Sequence, residues 1–108
     1  MTFEEYQAKA NATAIYPGQG SNAGLLYVTL GLAGEAGEVA NKVKKLLTEG
    51  TSDEAQDAII SELGDVLWHV AQMCTEFGLA LGVLADENAA KLLDRMERGT
   101  LRGDGDTR

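Results

Sequence analysis

Apolar residues recur along this chain at the spacing of α-helices. Leu32, Ala36, Val39, Val43 and Leu46 step by four, three, four and three, the seam of a helix running from about Leu25 to Leu47. Ile59, Leu63, Val66, Val70 and Met73 repeat those steps in a helix from about Asp53 to Phe77, with Gly78 as its stop. Thr2 and Glu5 have capping-box spacing and open a helix over residues 3–14; a last helix covers 84–98. Pro17, the single proline, lies in the loop "YPGQGSNAG". "TEGTSDE" at 48–54 separates the two long helices, and Thr51 with Glu54 offers a second capping box. No alternating strand pattern of useful length exists. The pattern predicts one all-α domain over residues 1–99, four to five helices built on an antiparallel central hairpin in a helical bundle. Residues 100–108 read as a flexible C-terminal tail.

The acidic positions change this picture. With about 100° per residue, and Leu32 and Ile59 each set to zero, Glu35 and Glu62 both fall at about 300° and Glu38 and Asp65 both at about 240°. The shared core is E-x-G-[ED]-V, present once in each long helix. An antiparallel hairpin keeps equivalent flanks on one side. Glu38 and Glu62 are equidistant from Gly50, as are Glu35 and Asp65, so one register carries all four carboxyls to one patch. Like charges at 4 Å repel by about 4 kcal/mol at an effective dielectric near 20. Such groups splay into water, protonate or share a cation. Read singly, each acid pair is a solvated helix flank, with Glu38–Lys42 an ordinary i,i+4 pair. The matched phase and height favour a shared cation. Four hard oxygen donors suit Mg²⁺ or Mn²⁺ rather than zinc. A di-iron bundle requires two Glu-x-x-His motifs, and the chain has one histidine, His69.

Composition narrows the partners. The formal net charge is −8, which disfavours a nucleic-acid polymer, while a small phosphorylated substrate delivered with a cation remains compatible. Cys74 is the lone cysteine, so no internal disulfide forms and a reducing, cytoplasmic compartment fits. Its place on the apolar stripe points to core packing. No run of 18 apolar residues offers a membrane span. Gly31, Gly34 and Gly37, three apart in one helix, each cost about 1 kcal/mol relative to alanine. They imply close approach of a neighbouring helix or of a ligand.

"LGLAGEAGEVANKVKKLL", "ISELGDVLWHV" and "NAAKLLDRMERG" resemble the MazG-like branch of the all-α nucleoside triphosphate pyrophosphohydrolases, over most of residues 25–99. "TAIYPGQG" and "RGDGD" look like small stand-alone proteins of that type from phages and bacteria. The resemblance implies Mg²⁺-dependent hydrolysis of a (deoxy)nucleoside triphosphate to monophosphate and pyrophosphate, by water attack at the α-phosphorus, in nucleotide-pool control. It implies that Glu35, Glu38, Glu62 and Asp65 hold the metal, with Mn²⁺ as a substitute, and that Glu35 or Glu38 orients or deprotonates the water. Asn88, Lys91 and Arg95 match the family's last-helix N-x-x-K-x-x-x-R pattern, expected along the phosphate chain. Many members carry a glutamate where this chain has Gly34, which leaves the number of ligands and ions open. A homodimer or dimer of dimers, in a bacterial cell or phage-infected host, is implied as well.

Trp68, about 180° from its helix's seam, is a candidate for a subunit interface or for stacking on a base. His69 is a candidate for a structural role or a phosphate contact, and Tyr16 for loop packing or closure over the base. Two other readings compete: a non-enzymatic helical oligomerisation or regulatory module, and a phosphoribosyl-ATP-type pyrophosphohydrolase.

Overall fold

The structure is a computed structural model and describes all residues, 1–108. It is all-helical: α1 (Phe3–Ala12), α2 (Asn22–Glu49), α3 (Asp53–Glu76) and α4 (Leu81–Glu97). The helix count is four, the lower of the two expected. α1 opens on the capping box, Thr2 and Glu5 each accepting the other's backbone N–H. It closes two residues early, where the Thr13 hydroxyl donates to the Ala10 carbonyl and the chain enters the proline loop.

α3 is capped by Ser52, whose hydroxyl accepts the Ala55 N–H at 3.1 Å. Thr51, expected in that role, instead accepts from the Gln56 side chain. At its other end, Gly78 takes φ +68° and the Leu79 N–H returns to the Cys74 carbonyl, a left-handed stop. α4 begins at Leu81 rather than 84 because its cap comes from another helix. Gln7 of α1 accepts the Leu81 N–H at 2.8 Å and donates to the Leu79 carbonyl and the Thr75 hydroxyl. Gln7→Ala is therefore expected to cost about 1–3 kcal/mol, read as a lowered Tm.

α2 and α3 form the antiparallel hairpin, with Gly50 at φ +80° in its turn. Gly31 packs against the His69 ring, and these two residues are equidistant from Gly50, so the register is the predicted one. α1 crosses the far end of the hairpin, where Ala10, Ala71, Cys74 and Leu81 make a small core that Tyr6, Trp68 and Leu84 flank. The proline loop is tied to that end by Glu76, which accepts the Tyr16 hydroxyl at 2.6 Å and the Gly20 N–H at 2.9 Å. Tyr16 is buried, and loop packing is what it does. α4 leaves α3 at a bend of 103° and nowhere comes within 8 Å of α2 between Cα atoms. No single helix is long and apolar enough to cross a membrane.

The radius of gyration is 16.5 Å, against about 13 Å for a compact chain of this length. Only 9 of 108 residues are buried. Val43 and Leu63, one member of each predicted seam, are 45% and 51% exposed, while the central Val39 and Val66 are half-buried. The seams thus stay half-buried along most of their length, turned only enough to leave Ala36, Val43 and Leu63 outward. Glu62 and the small residues Gly31, Ala55 and Ala58 lie between the helices, and part of each apolar stripe faces outward.

Candidate active site

The rotation of the hairpin sets the site. α2 and α3 aim Glu35, Glu62 and Asp65 at one point, with one carboxylate oxygen from each within 4.8 Å of the others. The Glu62 side chain is 19% exposed, and its Oε2 is buried with no donor in the chain while Glu35 is ionised. Lys42 approaches its other oxygen at 3.7 Å. Lys42 thus meets Glu62 across the hairpin rather than Glu38 on its own helix.

Electrostatics report the crowding. The Glu35 carboxyl is held above the usual carboxylate range, first by its hydrogen bond to Glu62, then by burial and by the charges of Glu62 and Asp65, with His69 opposing. A proton shared between Glu35 and Glu62, or a cation held between them, relieves that repulsion. A carboxyl with a raised folded pKa stabilises the fold fully below its unfolded pKa and loses that contribution as pH rises through the folded value. With chelator present, the Glu35 contribution to the Tm is expected to decline as pH rises above about 4.3, the unfolded glutamate value. Glu35→Gln should flatten that slope, and saturating divalent cation should compensate for it at neutral pH.

Of the four predicted acids, three converge. Glu38 sits one turn further along α2, exposed and outside the cluster. The pairing of Glu38 with Glu62 expected from equal heights is corrected: Glu62 faces Glu35 and Lys42. The donor set suits a hard divalent cation. All three are carboxylates, they come from two rigid helices, and one buried oxygen lacks any partner in the chain.

His69 lies beside the cluster. Its Nδ1–H donates to the Asp65 carbonyl at 2.8 Å, and its ring fills the space where a Gly31 Cβ would stand. Gly31 is therefore the glycine that close helix packing requires, whereas a Cβ at Gly34 or Gly37 would meet nothing. Trp68 donates to the Thr13 hydroxyl at 2.8 Å and meets Tyr16 edge-on, so its partner is the loop of its own chain. Asn88 and Lys91 line one groove on α4, and Arg95 continues that face. Lys91 and Arg95 are both engaged by Asp106 of the tail, a contact that no periodicity announces.

Residues 24–100 match the MazG nucleotide pyrophosphohydrolase domain. The chain belongs to this family. All three clustered acids and the α4 residues Asn88, Lys91 and Arg95 fall inside the matched span. The chain is also similar to the "Gene 37 protein" of Mycobacterium phage L5, 46% identical over 114 residues and covering all of both proteins. No solved structure matches it. Of the four acids of the family pattern, Glu35 and Glu62 are half-buried, Asp65 is exposed but joins the cluster, and Glu38 is exposed and stands outside it.

Proposed function

We propose that this chain hydrolyses (deoxy)nucleoside triphosphates to the monophosphate and pyrophosphate by water attack at the α-phosphorus, dependent on Mg²⁺ with Mn²⁺ as substitute. The observation that carries this reading is the convergence of Glu35, Glu62 and Asp65, with its orphaned buried oxygen, in a MazG-family chain. Those three hold the cation, with Glu38 as the exposed fourth member that the family pattern supplies. Bound there, a divalent ion supplies neutralisation of phosphate charge and acidification of water.

Glu35 or Glu38 orients or deprotonates the attacking water, and Glu35 is the one of the two that stands inside the cluster. Asn88, Lys91 and Arg95 bind the phosphate chain, the cations countering charge on the departing pyrophosphate. His69 positions Asp65 through its backbone and packs α3 onto α2. The exposed face of the Trp68–His69 edge pair is the candidate contact for the base.

The working unit we propose is a homodimer or a dimer of dimers. One side of the hairpin carries Val43, Leu47 and Leu63, all exposed, and no helix of the same chain covers them. The setting we propose is the cytoplasm of the host cell, in control of the nucleotide pool.

Pyrophosphate release from a panel of nucleotides, with Mg²⁺ and with chelator, tests the assignment. Release from at least one triphosphate that stops on chelation is expected. A panel with no turnover under any metal condition would favour the silent oligomerisation module. Phosphoribosyl-ATP in the same panel separates the third reading, which predicts that this compound alone is cleaved.

A further inference from the structure

The last helix ends in a feature that the proposed reaction does not use. Residues 101–108 fold back on α4 as a closed turn. The Arg108 side chain donates to the Gly105 and Leu101 carbonyls, and the Arg98 side chain donates to the Arg108 carbonyl at 2.8 Å. Gly103 at φ +137° and Gly105 at φ +83° supply the reversals. The turn delivers Asp106 to the cationic face: its Oδ1 lies 2.7 Å from Lys91 Nζ and 3.0 Å from Arg95 Nη2, and its carbonyl accepts from Arg95 Nη2 at 2.7 Å. The two cations hold the Asp106 carboxyl below the usual carboxylate range.

The fit is incomplete in an informative way. The Arg95 side chain is 5% exposed, yet its Nε–H is buried without an acceptor. A guanidinium presents donors in a fixed fork, and one carboxylate oxygen plus one carbonyl, both on Nη2, leave the Nε edge of that fork unanswered. A tetrahedral oxyanion with three terminal oxygens answers both Nε and Nη2 and still reaches Lys91. Beside Lys91 the groove is lined by Leu84, Glu87 and Asn88, so a longer anion extending along the helix would gain the Asn88 amide and pass the Glu87 carboxylate. Asp106 itself is 77% exposed, so its side of the seat opens to solvent.

We propose that Asp106 is an intramolecular stand-in for a phosphoryl group, so that the tail latches the Lys91–Arg95 seat and lifts when a polyphosphate chain binds. This rests on the reading of Lys91 and Arg95 as phosphate-binding residues. It adds that the chain carries its own competitor for them. Affinity for a polyphosphate is then reduced by the fraction of time the latch is shut.

The test is metal-free calorimetric titration of the full chain with inorganic tripolyphosphate, comparing the wild type with Asp106→Asn and Asp104→Asn. Both variants lose one negative charge, but Asp104 makes no contact with Lys91 or Arg95. A latch closed nine-tenths of the time predicts that Asp106→Asn binds about tenfold more tightly, with Asp104→Asn near the wild type. Equal tightening in the two variants would reduce the effect to net charge and overturn the latch. Unchanged affinity in Asp106→Asn would overturn it too. Should that variant fail to fold, the wild type carries the test by NMR. Tripolyphosphate must then shift residues 103–108 and the Lys91 and Arg95 side chains at one midpoint, and tail signals that stay fixed while Lys91 and Arg95 respond overturn the proposal. Because no turnover is measured, a chain that binds tripolyphosphate through this seat yet hydrolyses no nucleotide would contradict the proposed enzyme and leave the latch standing.

Discussion

Glu62→Gln is expected to lower metal-dependent turnover on the order of 10²–10³-fold while making the metal-free chain more stable by about 0.5–2 kcal/mol. The two effects have one cause. Glu62 is half-buried in the acid cluster, with one buried oxygen lacking a donor and the other 3.7 Å from Lys42. Its amide replacement keeps the shape, removes a negative charge from beside Glu35 and Asp65, and offers an N–H to the Glu35 carboxylate. The ion pair lost with Lys42 is partly exposed and contributes about 0–1 kcal/mol. Relief of the crowded carboxylates outweighs it. Activity falls because a cation held by this cluster loses a ligand. A variant that is inactive and also less stable would mark Glu62 as a structural ion-pair partner instead. Glu38→Gln, by contrast, is expected to leave the metal-free Tm unchanged, since Glu38 stands outside the crowd.

The second large effect concerns assembly. Light scattering of the wild type at micromolar concentration is expected to return a multiple of 11.4 kDa, and Leu63→Asp is expected to return that mass alone or to precipitate. Leu63 is half exposed in the chain by itself and lies on the hairpin side that also carries Val43 and Leu47. An unpaired carboxylate placed in an apolar interface costs roughly 3–5 kcal/mol, enough to lower an association constant more than a hundredfold. A wild-type monomer at these concentrations would show that the open apolar side needs no second copy.

The helices were legible from the chain because their ends are written locally. The Thr2–Glu5 box, the Gly50 turn and the Gly78 stop each act through their own neighbours, and the structure places helix boundaries beside them. α4 began three residues early because its cap is the side chain of Gln7, seventy-four positions away. The hairpin register followed from symmetry about Gly50. The rotation of the two helices did not, because an apolar stripe marks what must leave water, without saying which chain covers it. Val43 and Leu63 drew the expected seam toward a side that this chain leaves open, while Gly31, a glycine with no hydrophobic signal, took a close contact with His69 across the hairpin. That rotation brought Glu35 and Glu62 inward together and left Glu38 outside. The meeting of Asp106 with Lys91 and Arg95 depends on two glycine reversals in a segment without periodicity. Spacing in sequence carries no trace of it.

Binding of a divalent cation at the carboxylate cluster tests the account at its centre. Mn²⁺ should be titrated into the folded chain and followed by electron paramagnetic resonance, for the wild type, Glu35→Gln, Glu62→Gln and Asp65→Asn, with circular dichroism confirming helix content. Saturable binding by the wild type that each substitution weakens at least tenfold, with Mg²⁺ competing, is the predicted result. Equal Mn²⁺ affinity in all four proteins would contradict it.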